Sequence, residues 1–179
     1  MTTAQAKTKR PSADFLKLMR NLRAVREYTP EPVDNATINQ ILEVGRWTGT
    51  GSNKQPTDVI VVRDSEVKRK MGEWGARPAA NAAVVLLLTT LDEAGSMDEG
   101  RYAERMMLAA KALGLGSCLA TLKNEGPEEI KKLLGIPADR RARALVALGH
   151  TDTAARKALP KNPNGGRKPL EEFAHWDRF

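Results

Sequence analysis

The chain has one cysteine and two histidines among its 179 residues. The lone Cys118 excludes an internal disulfide and a cysteine-rich metal site. Neither His150 nor His175 has a serine or cysteine at the spacing of a catalytic triad, and each is more simply a structural or surface residue. No cluster of metal ligands occurs either, so we assign no metal site and no catalytic side chain. If the protein is an enzyme, we expect a cofactor to carry the reaction.

Aromatic residues are also scarce, at 4% of the chain. This argues against a stacking platform for single-stranded nucleic acid, which depends on aromatic faces. The formal net charge is +7, and part of it lies in the first eleven residues. There is no basic helix or arginine-rich stripe, so the charge favours a phosphorylated small molecule as ligand, and we expect no nucleic-acid partner.

Long hydrophobic runs are absent. The longest, residues 82–88, is too short to cross a bilayer. The N-terminus lacks the apolar core of a signal peptide. We therefore expect no membrane partner and a soluble, cytoplasmic protein.

The patterning of the chain predicts one domain of α+β class at residues 12–179, after a disordered basic tail at 1–11. A first helix is expected to end between Arg26 and Thr29, ahead of Pro30. Four other helices are predicted. One starts after Asp34, one spans 65–74, one starts with a Ser96–Glu99 capping box, and one spans 127–134. The predicted strands are 58–62, 82–90, 117–122 and 143–148.

One glycine motif partly resembles a cofactor-binding loop. Residues 114–117 read Gly-Leu-Gly-Ser, but the third glycine of a dinucleotide loop is missing and the motif follows a helix instead of a strand. No Walker-type glycine-lysine loop is present. Arg23 and Arg26 are placed at a helix end, where residues three apart share one side, and guanidinium groups suit phosphate. On those two residues alone, a pair of surface arginines is the simpler interpretation.

Four segments, taken in order, resemble the nitroreductase family of flavoproteins. Residues 22–28 with Pro32-Val33 are similar to its opening Arg-Arg-Ser-x-Arg-x-aromatic motif, and residues 50–56 to its Asn-x-Gln-Pro loop. Residues 108–118 are similar to its long helix and following strand, and 167–172 to its C-terminal basic motif. Each motif is short, but their order and spacing together are specific, and the resemblance covers residues 12–179.

The resemblance implies a central mixed sheet flanked by helices, in an obligate homodimer whose C-terminal segment docks on the partner. It also implies FMN at the dimer interface, contacted by both chains. NADH or NADPH would deliver hydride to flavin N5, and a nitroaromatic, quinone or similar small-molecule acceptor would take it in the same place. One site serving two substrates gives ping-pong kinetics.

The residues that the resemblance places at the flavin come from four parts of the chain. Those approaching the phosphate and ribityl end would be Arg23, Ala24, Arg26, Arg167 and, as the weaker candidate, Lys168. Those contributed by the partner subunit's loop would be Gly51, Ser52 and Asn53, with Gln55 nearby. Those running along the ring, with backbone groups near N5, would be Leu119, Ala120 and Thr121. Donors near N5 and N1–O2 stabilise the reduced flavin.

The sequence departs from the opening motif of the family at two positions, and from its Asn-x-Gln-Pro loop at Thr50, Gly51 and Thr57. Leu22 stands in the place of the first arginine and Ala24 in the place of the serine, so two phosphate contacts are missing or come from elsewhere, for example from Arg20. Two alternatives therefore stay open. One is a specialised member of the family, dehalogenase-like or flavin-consuming. The other is a non-catalytic flavin-binding or ligand-binding protein on the same scaffold.

Overall fold

The structure, a computed structural model, describes residues 13–159 and 166–179. The predicted disordered tail at 1–11 lies outside these residues. The helices are α1 (Ala13–Arg20), α2 (Asn35–Arg46), α3 (Ser65–Glu73), α4 (Met97–Ala112), α5 (Gly126–Leu134), α6 (Thr153–Ala158) and α7 (Leu170–Phe173). The strands are β1 (Thr57–Val62), β2 (Val84–Leu91), β3 (Gly116–Thr121), β4 (Arg140–Arg141) and β5 (Ala144–Gly149).

The strands form one sheet in the order β1-β2-β5-β3, with β4 paired to the end of β2. Every strand pair is antiparallel. Within residues 13–159 and 166–179, a parallel pairing enters only at the isolated bridge between Ala24 and Ser117, on the outer side of β3. The predicted α+β architecture, a sheet flanked by helices, is confirmed, and its mixed character is confined to this edge.

Hydrophobic cores lie on both faces of the sheet. One contains Leu86 and Leu88 together with side chains of α2 and α4. The other contains Val85 and Leu87 together with Met71 of α3 and residues near α5. Strand β2 is therefore buried on both faces, as its continuous apolar run predicts. No helix among the described residues is both long and apolar enough to cross a membrane.

Several predicted element ends are confirmed. The carboxylate of Asp34 accepts a hydrogen bond from the backbone N–H of Thr37 at 2.8 Å and caps α2. In the same helix, Gly45 is buried where a Cβ would lie 2.9 Å from Cγ of Met106, so α2 and α4 pack closely there. Gly135 follows α5 in a left-handed conformation and ends it.

The prediction for the first helix was wrong. Helix α1 ends at Arg20, and the backbone then turns to pair with the sheet. The N–H of Val25 donates to the carbonyl of Ser117 at 2.8 Å, and the N–H of Thr29 donates to the carbonyl of His150 at 2.9 Å. These tertiary hydrogen bonds replace the helical ones that the local pattern favours.

The predicted capping box at α4 was also wrong. Ser96 has a helical conformation and makes no side-chain cap, while the Glu99 carboxylate pairs with Arg141 at 2.5 Å. That pairing holds β4, a two-residue strand that the sequence did not indicate, against the start of α4. Helix α6 was missed as well, although Asp152 caps it by accepting from the N–H of Ala155 at 2.8 Å.

Candidate functional site

The segment that follows α1, residues 21–28, lies beside β3, and Tyr28 anchors it to β5. Its ring is buried, and its hydroxyl lies 2.5 Å from the carbonyl of Val25 and 3.1 Å from that of Ala147. Burial raises the pKa of the Tyr28 hydroxyl, so it remains a neutral donor. The segment approaches β3 closely because Gly116 lacks a side chain: a Cβ there would lie 2.7 Å from Cγ1 of Val25. The local backbone is therefore set by tertiary contacts.

This path separates the two arginines that the helix prediction placed on one side. Because residues 22–28 are not helical, Arg23 and Arg26 have no common face. Arg23 donates to the carbonyls of Arg20 and Leu22 at 2.8 and 2.7 Å. Arg26 lies instead near the buried Cys118. The prediction that Arg23 and Arg26 share one side of a helix was therefore wrong, because α1 ends at Arg20 and the last helical turn is absent.

A cleft of about 550 Å³, here called the arginine cleft, brings the two ends of the chain together. Three guanidinium-bearing residues line it, Arg20, Arg23 and Arg167, with Ala24 and Met107 as smaller or apolar wall residues. One carboxylate, that of Glu104, lies in the same wall, so positive charge dominates. Two predicted site residues from opposite ends of the sequence, Arg23 and Arg167, therefore meet here, and Arg20 joins them. Such a cluster favours a phosphate-sized anion.

Strand β3 leaves an open edge beyond Ser117. The carbonyl of Ser117 points outward, where it accepts from Val25. Because backbone groups alternate along a strand, those of Leu119 and Thr121 point to the same side. Among the described residues, no backbone group pairs with them there. Leu119 is 44% exposed although its register partner Val146 is buried. Of the three predicted ring residues, Leu119 and Thr121 therefore offer free backbone donors beside an exposed apolar side chain, whereas the backbone of Ala120 points towards β5.

The predicted loop residues Gly51, Ser52, Asn53 and Gln55 are exposed. Ser52, Asn53 and Gln55 adopt positive φ angles of 49°, 54° and 48°. Such conformations cost of the order of 1 kcal/mol or more each for residues other than glycine, and they concentrate at functional sites. The backbone N–H of Gln55 donates to Oγ1 of Thr50 at 3.0 Å, which helps to hold the turn. None of these residues lines the arginine cleft of its own chain.

The base of this loop is held by α2 and α4. The Glu43 carboxylate accepts from Arg46 and from the indole N–H of Trp47, and these hydrogen bonds lower the pKa of Glu43 to about 2. Arg105 of α4 donates to the carbonyl of Trp47 at 2.5 Å. The loop thus leaves a well-anchored helix end while its tip faces solvent.

Large apolar side chains at both ends of the described chain are exposed. In α1, Phe15 and Leu16 are each 55% exposed. In the C-terminal segment, the values for Phe173 and Trp176 are 75% and 89%. Lys168 lies at the start of this segment and is also exposed. Apolar side chains this exposed in a contiguous segment are typical of an interaction surface.

The remaining reactive groups are explained by packing. Cys118 is 1% exposed, and burial raises the pKa of its thiol, so it is an inert core residue. Nε2 of His150 lies 3.7 Å from the Glu31 carboxylate at the surface. His175 stacks against Phe179 with ring centroids 4.2 Å apart. None of the three lines the arginine cleft.

Comparison with known proteins agrees with this geometry. The chain matches the model of the nitroreductase family over residues 19–94 and 79–150. It is 31% identical over 148 residues to a protein of Archaeoglobus fulgidus named as an NADH dehydrogenase/NAD(P)H nitroreductase, covering 76% of this chain and 85% of that protein. It is 27% identical over 193 residues to an FMN reductase [NAD(P)H] of Bacillus subtilis, covering 93% and 77%.

Solved structures give the same result at the level of the fold. The hypothetical oxidoreductase YcnD of Bacillus subtilis superposes with a TM-score of 0.80 at 25% identity, over 93% of this chain and 74% of that one. The residues matched by the family model include the segment after α1, the sheet and α4. The chain therefore belongs to the nitroreductase family.

Proposed function

We propose that this protein is an FMN-dependent oxidoreductase that takes hydride from NADH or NADPH and passes it to a nitroaromatic, quinone or similar acceptor by a ping-pong mechanism. The observation that carries the proposal is the meeting of Arg20, Arg23 and Arg167 in one cleft, where another wall residue, Ala24, pairs with Ser117 of β3. When bound, FMN supplies the atom, N5, that accepts and donates hydride. Relatives named as an FMN reductase and an NADPH-flavin oxidoreductase support this chemistry.

The arginine cleft fits the phosphate end of FMN. A phosphate monoester carries close to two negative charges at neutral pH, and three guanidinium groups against one carboxylate leave a matching positive excess. Leu22 and Ala24 lack the arginine and serine of the family motif, and Arg20 supplies a replacement charge in the same wall. The phosphate-binding residues of this chain are therefore Arg20, Arg23 and Arg167, with Lys168 next to Arg167 in the sequence.

The open edge of β3 fits the ring end. The outward N–H groups of Leu119 and Thr121 can donate to ring acceptors, and the exposed side chain of Leu119 offers an apolar contact. Fixed backbone donors favour a ring that gains negative charge on reduction, because they need no reorganisation when the charge develops. These residues orient the ring and stabilise its charge, so the protein needs no acid or base of its own for hydride delivery.

A second copy of the chain completes the site. The loop at 51–55 is exposed, strained and absent from its own arginine cleft, which suits residues that reach the flavin of the partner subunit. The exposed side chains of α1 and the C-terminal segment suit burial against a partner, with the C-terminal segment docking on it. The working form is then a homodimer, and we propose that it acts in the cytoplasm.

Flavin binding tests the proposal directly. The purified protein should be yellow, or should take up FMN when it is added. Arg23→Ala and Arg167→Ala should each raise the Kd for FMN about tenfold or more, since each removes a charge-assisted hydrogen bond. Arg77→Ala, which removes an exposed arginine from another part of the chain, is the matched control and should bind FMN normally. A colourless protein that takes up no FMN would refute the proposal.

Sedimentation tests the shared site. The FMN-loaded protein should sediment as a dimer, and Phe173→Ser with Trp176→Ser should weaken the dimer and release FMN together. A stable monomer that keeps its FMN would contradict a site shared between chains.

A further inference from the structure

A second basic pocket lies on the other side of Arg23. This cavity of about 250 Å³, here called the lysine pocket, is lined by Arg23, Lys111, Ser117, Thr151 and Arg156 together with backbone of residues 114–116. Lys111 belongs to the last turn of α4 and Arg156 to α6, whereas neither residue lines the arginine cleft. The two cavities share Leu22 and Arg23 as a common wall.

The lysine pocket carries three positive side chains and no carboxylate among its lining residues. Within the described residues, the ion pairs formed by carboxylates do not include Arg23, Lys111 or Arg156. At the end of α4, the carbonyls of Lys111 and Ala110 already accept from the backbone N–H groups of Gly114 and Leu115, at 3.1 and 2.8 Å. The positive field is therefore available to a ligand.

A buried hydroxyl provides a second, independent observation. Ser117 is 2% exposed, and its Oγ has no hydrogen-bond partner among the described residues. A buried hydroxyl without a partner is destabilising and needs an explanation, and a ligand in the adjoining pocket would supply one. In the β3 register, Ser117 lies on the face covered by α4, since its partner Leu148 belongs to that core. It therefore lies in the wall between β3 and Lys111.

We infer that the lysine pocket is a second phosphate-binding site, distinct from the site proposed for the FMN phosphate. Lys111 and Arg156 supply the charge, the Ser117 hydroxyl supplies a donor at the base, and Arg23 lies in the wall shared with the arginine cleft. The ligand is a phosphate group, either free or carried by a nucleotide. The inference does not depend on flavin chemistry, because the residues that distinguish it are Lys111, Ser117 and Arg156.

The test is a calorimetric titration of the full-length, FMN-loaded protein with inorganic phosphate at constant ionic strength. Saturable binding of one phosphate per chain is expected. Lys111→Ala and Arg156→Ala should each weaken it about tenfold or more. Lys70→Ala, on the opposite face of the sheet, should leave it unchanged and serves as control. The absence of saturable binding, or wild-type binding by Lys111→Ala, would overturn the inference. Phosphate binding that FMN abolishes would overturn it too, because the pocket would then be part of the flavin site.

Ser117→Ala separates a ligand role from a structural one. It should weaken phosphate binding and, without phosphate, raise the melting temperature, because it removes an unpartnered buried hydroxyl. If Ser117→Ala binds phosphate with unchanged affinity, the Ser117 hydroxyl does not contact the ligand, and the inference of a phosphate site in this pocket is overturned. Competition by NADP⁺ or by NAD⁺ identifies the source of the phosphate. Displacement of inorganic phosphate by NADP⁺ alone supports a site for the extra phosphate of that nucleotide, displacement by both supports the diphosphate, and displacement by neither supports free phosphate.

Discussion

Gly116→Ala is the substitution that tests most sharply how the fold positions the site. A Cβ at Gly116 would lie 2.6 Å from Oγ1 of Thr151 and 2.7 Å from Cγ1 of Val25. Restoring an ordinary contact of about 3.4 Å requires a shift of roughly 0.8 Å for Thr151 and roughly 0.7 Å for Val25. Val25 moves with its backbone, so its hydrogen bond to Ser117, now 2.8 Å, would lengthen towards the limit of about 3.5 Å at which such a bond is lost.

The cost follows from these two effects. Overpacking of this kind costs about 1–3 kcal/mol, and loss of one buried hydrogen bond costs about 1 kcal/mol. The free energy of unfolding should therefore fall by about 2–4 kcal/mol, which lowers the melting temperature by roughly 4–16 °C in a domain of this size. Binding of FMN should weaken about tenfold or more, since Arg23 moves with the segment.

Calorimetry and fluorescence titration with FMN measure both effects. The matched control is Gly100→Ala in α4, where a Cβ would meet nothing within 4 Å. That change should stabilise the helix by about 0.5–1 kcal/mol and leave the Kd for FMN unchanged. If Gly116→Ala melts and binds FMN as the wild type does, the close approach of residues 22–28 to β3 does not position the site.

Three further outcomes are expected. Tyr28→Phe removes a buried hydroxyl that serves two carbonyls and should lower the free energy of unfolding by about 1–3 kcal/mol in denaturant titrations; an unchanged midpoint would refute that role. Native Cys118 should resist thiol reagents until the chain unfolds, because its pKa is raised; rapid modification of the folded protein would contradict this. Since the unfolded thiol ionises first as the pH rises, stability should fall above the ordinary thiol range, and Cys118→Ala should lack that component.

The sheet and most helices could be predicted from the sequence because their patterns are local. The apolar run in β2, the Asp34 cap and the glycine after α5 each act within a few residues. The path of residues 22–28 could not be predicted this way. It depends on Tyr28, Gly116 and the outer edge of β3, which are far apart along the chain, and these contacts end α1 at Arg20.

In the candidate site, too, the features that depend on residues far apart in the sequence could not be predicted from local patterns. Arg23 and Arg167 were predicted together only through the family resemblance, and the fold brings them into one cleft. The helical pairing of Arg23 with Arg26 failed because a rule for helix faces was applied to a non-helical segment. The lysine pocket gave no sequence signal, since Lys111, Ser117 and Arg156 belong to three separate elements. The assignment of individual residues to FMN stays a prediction.

The measurement that tests the account most directly is an anaerobic titration of the FMN-loaded protein with NADPH and, separately, with NADH. At least one nucleotide should bleach the visible flavin absorption with one equivalent per flavin, and a quinone added afterwards should restore it. If FMN binds but neither nucleotide bleaches it, the protein is a flavin-binding member of the family without this oxidoreductase activity, and the central claim is wrong.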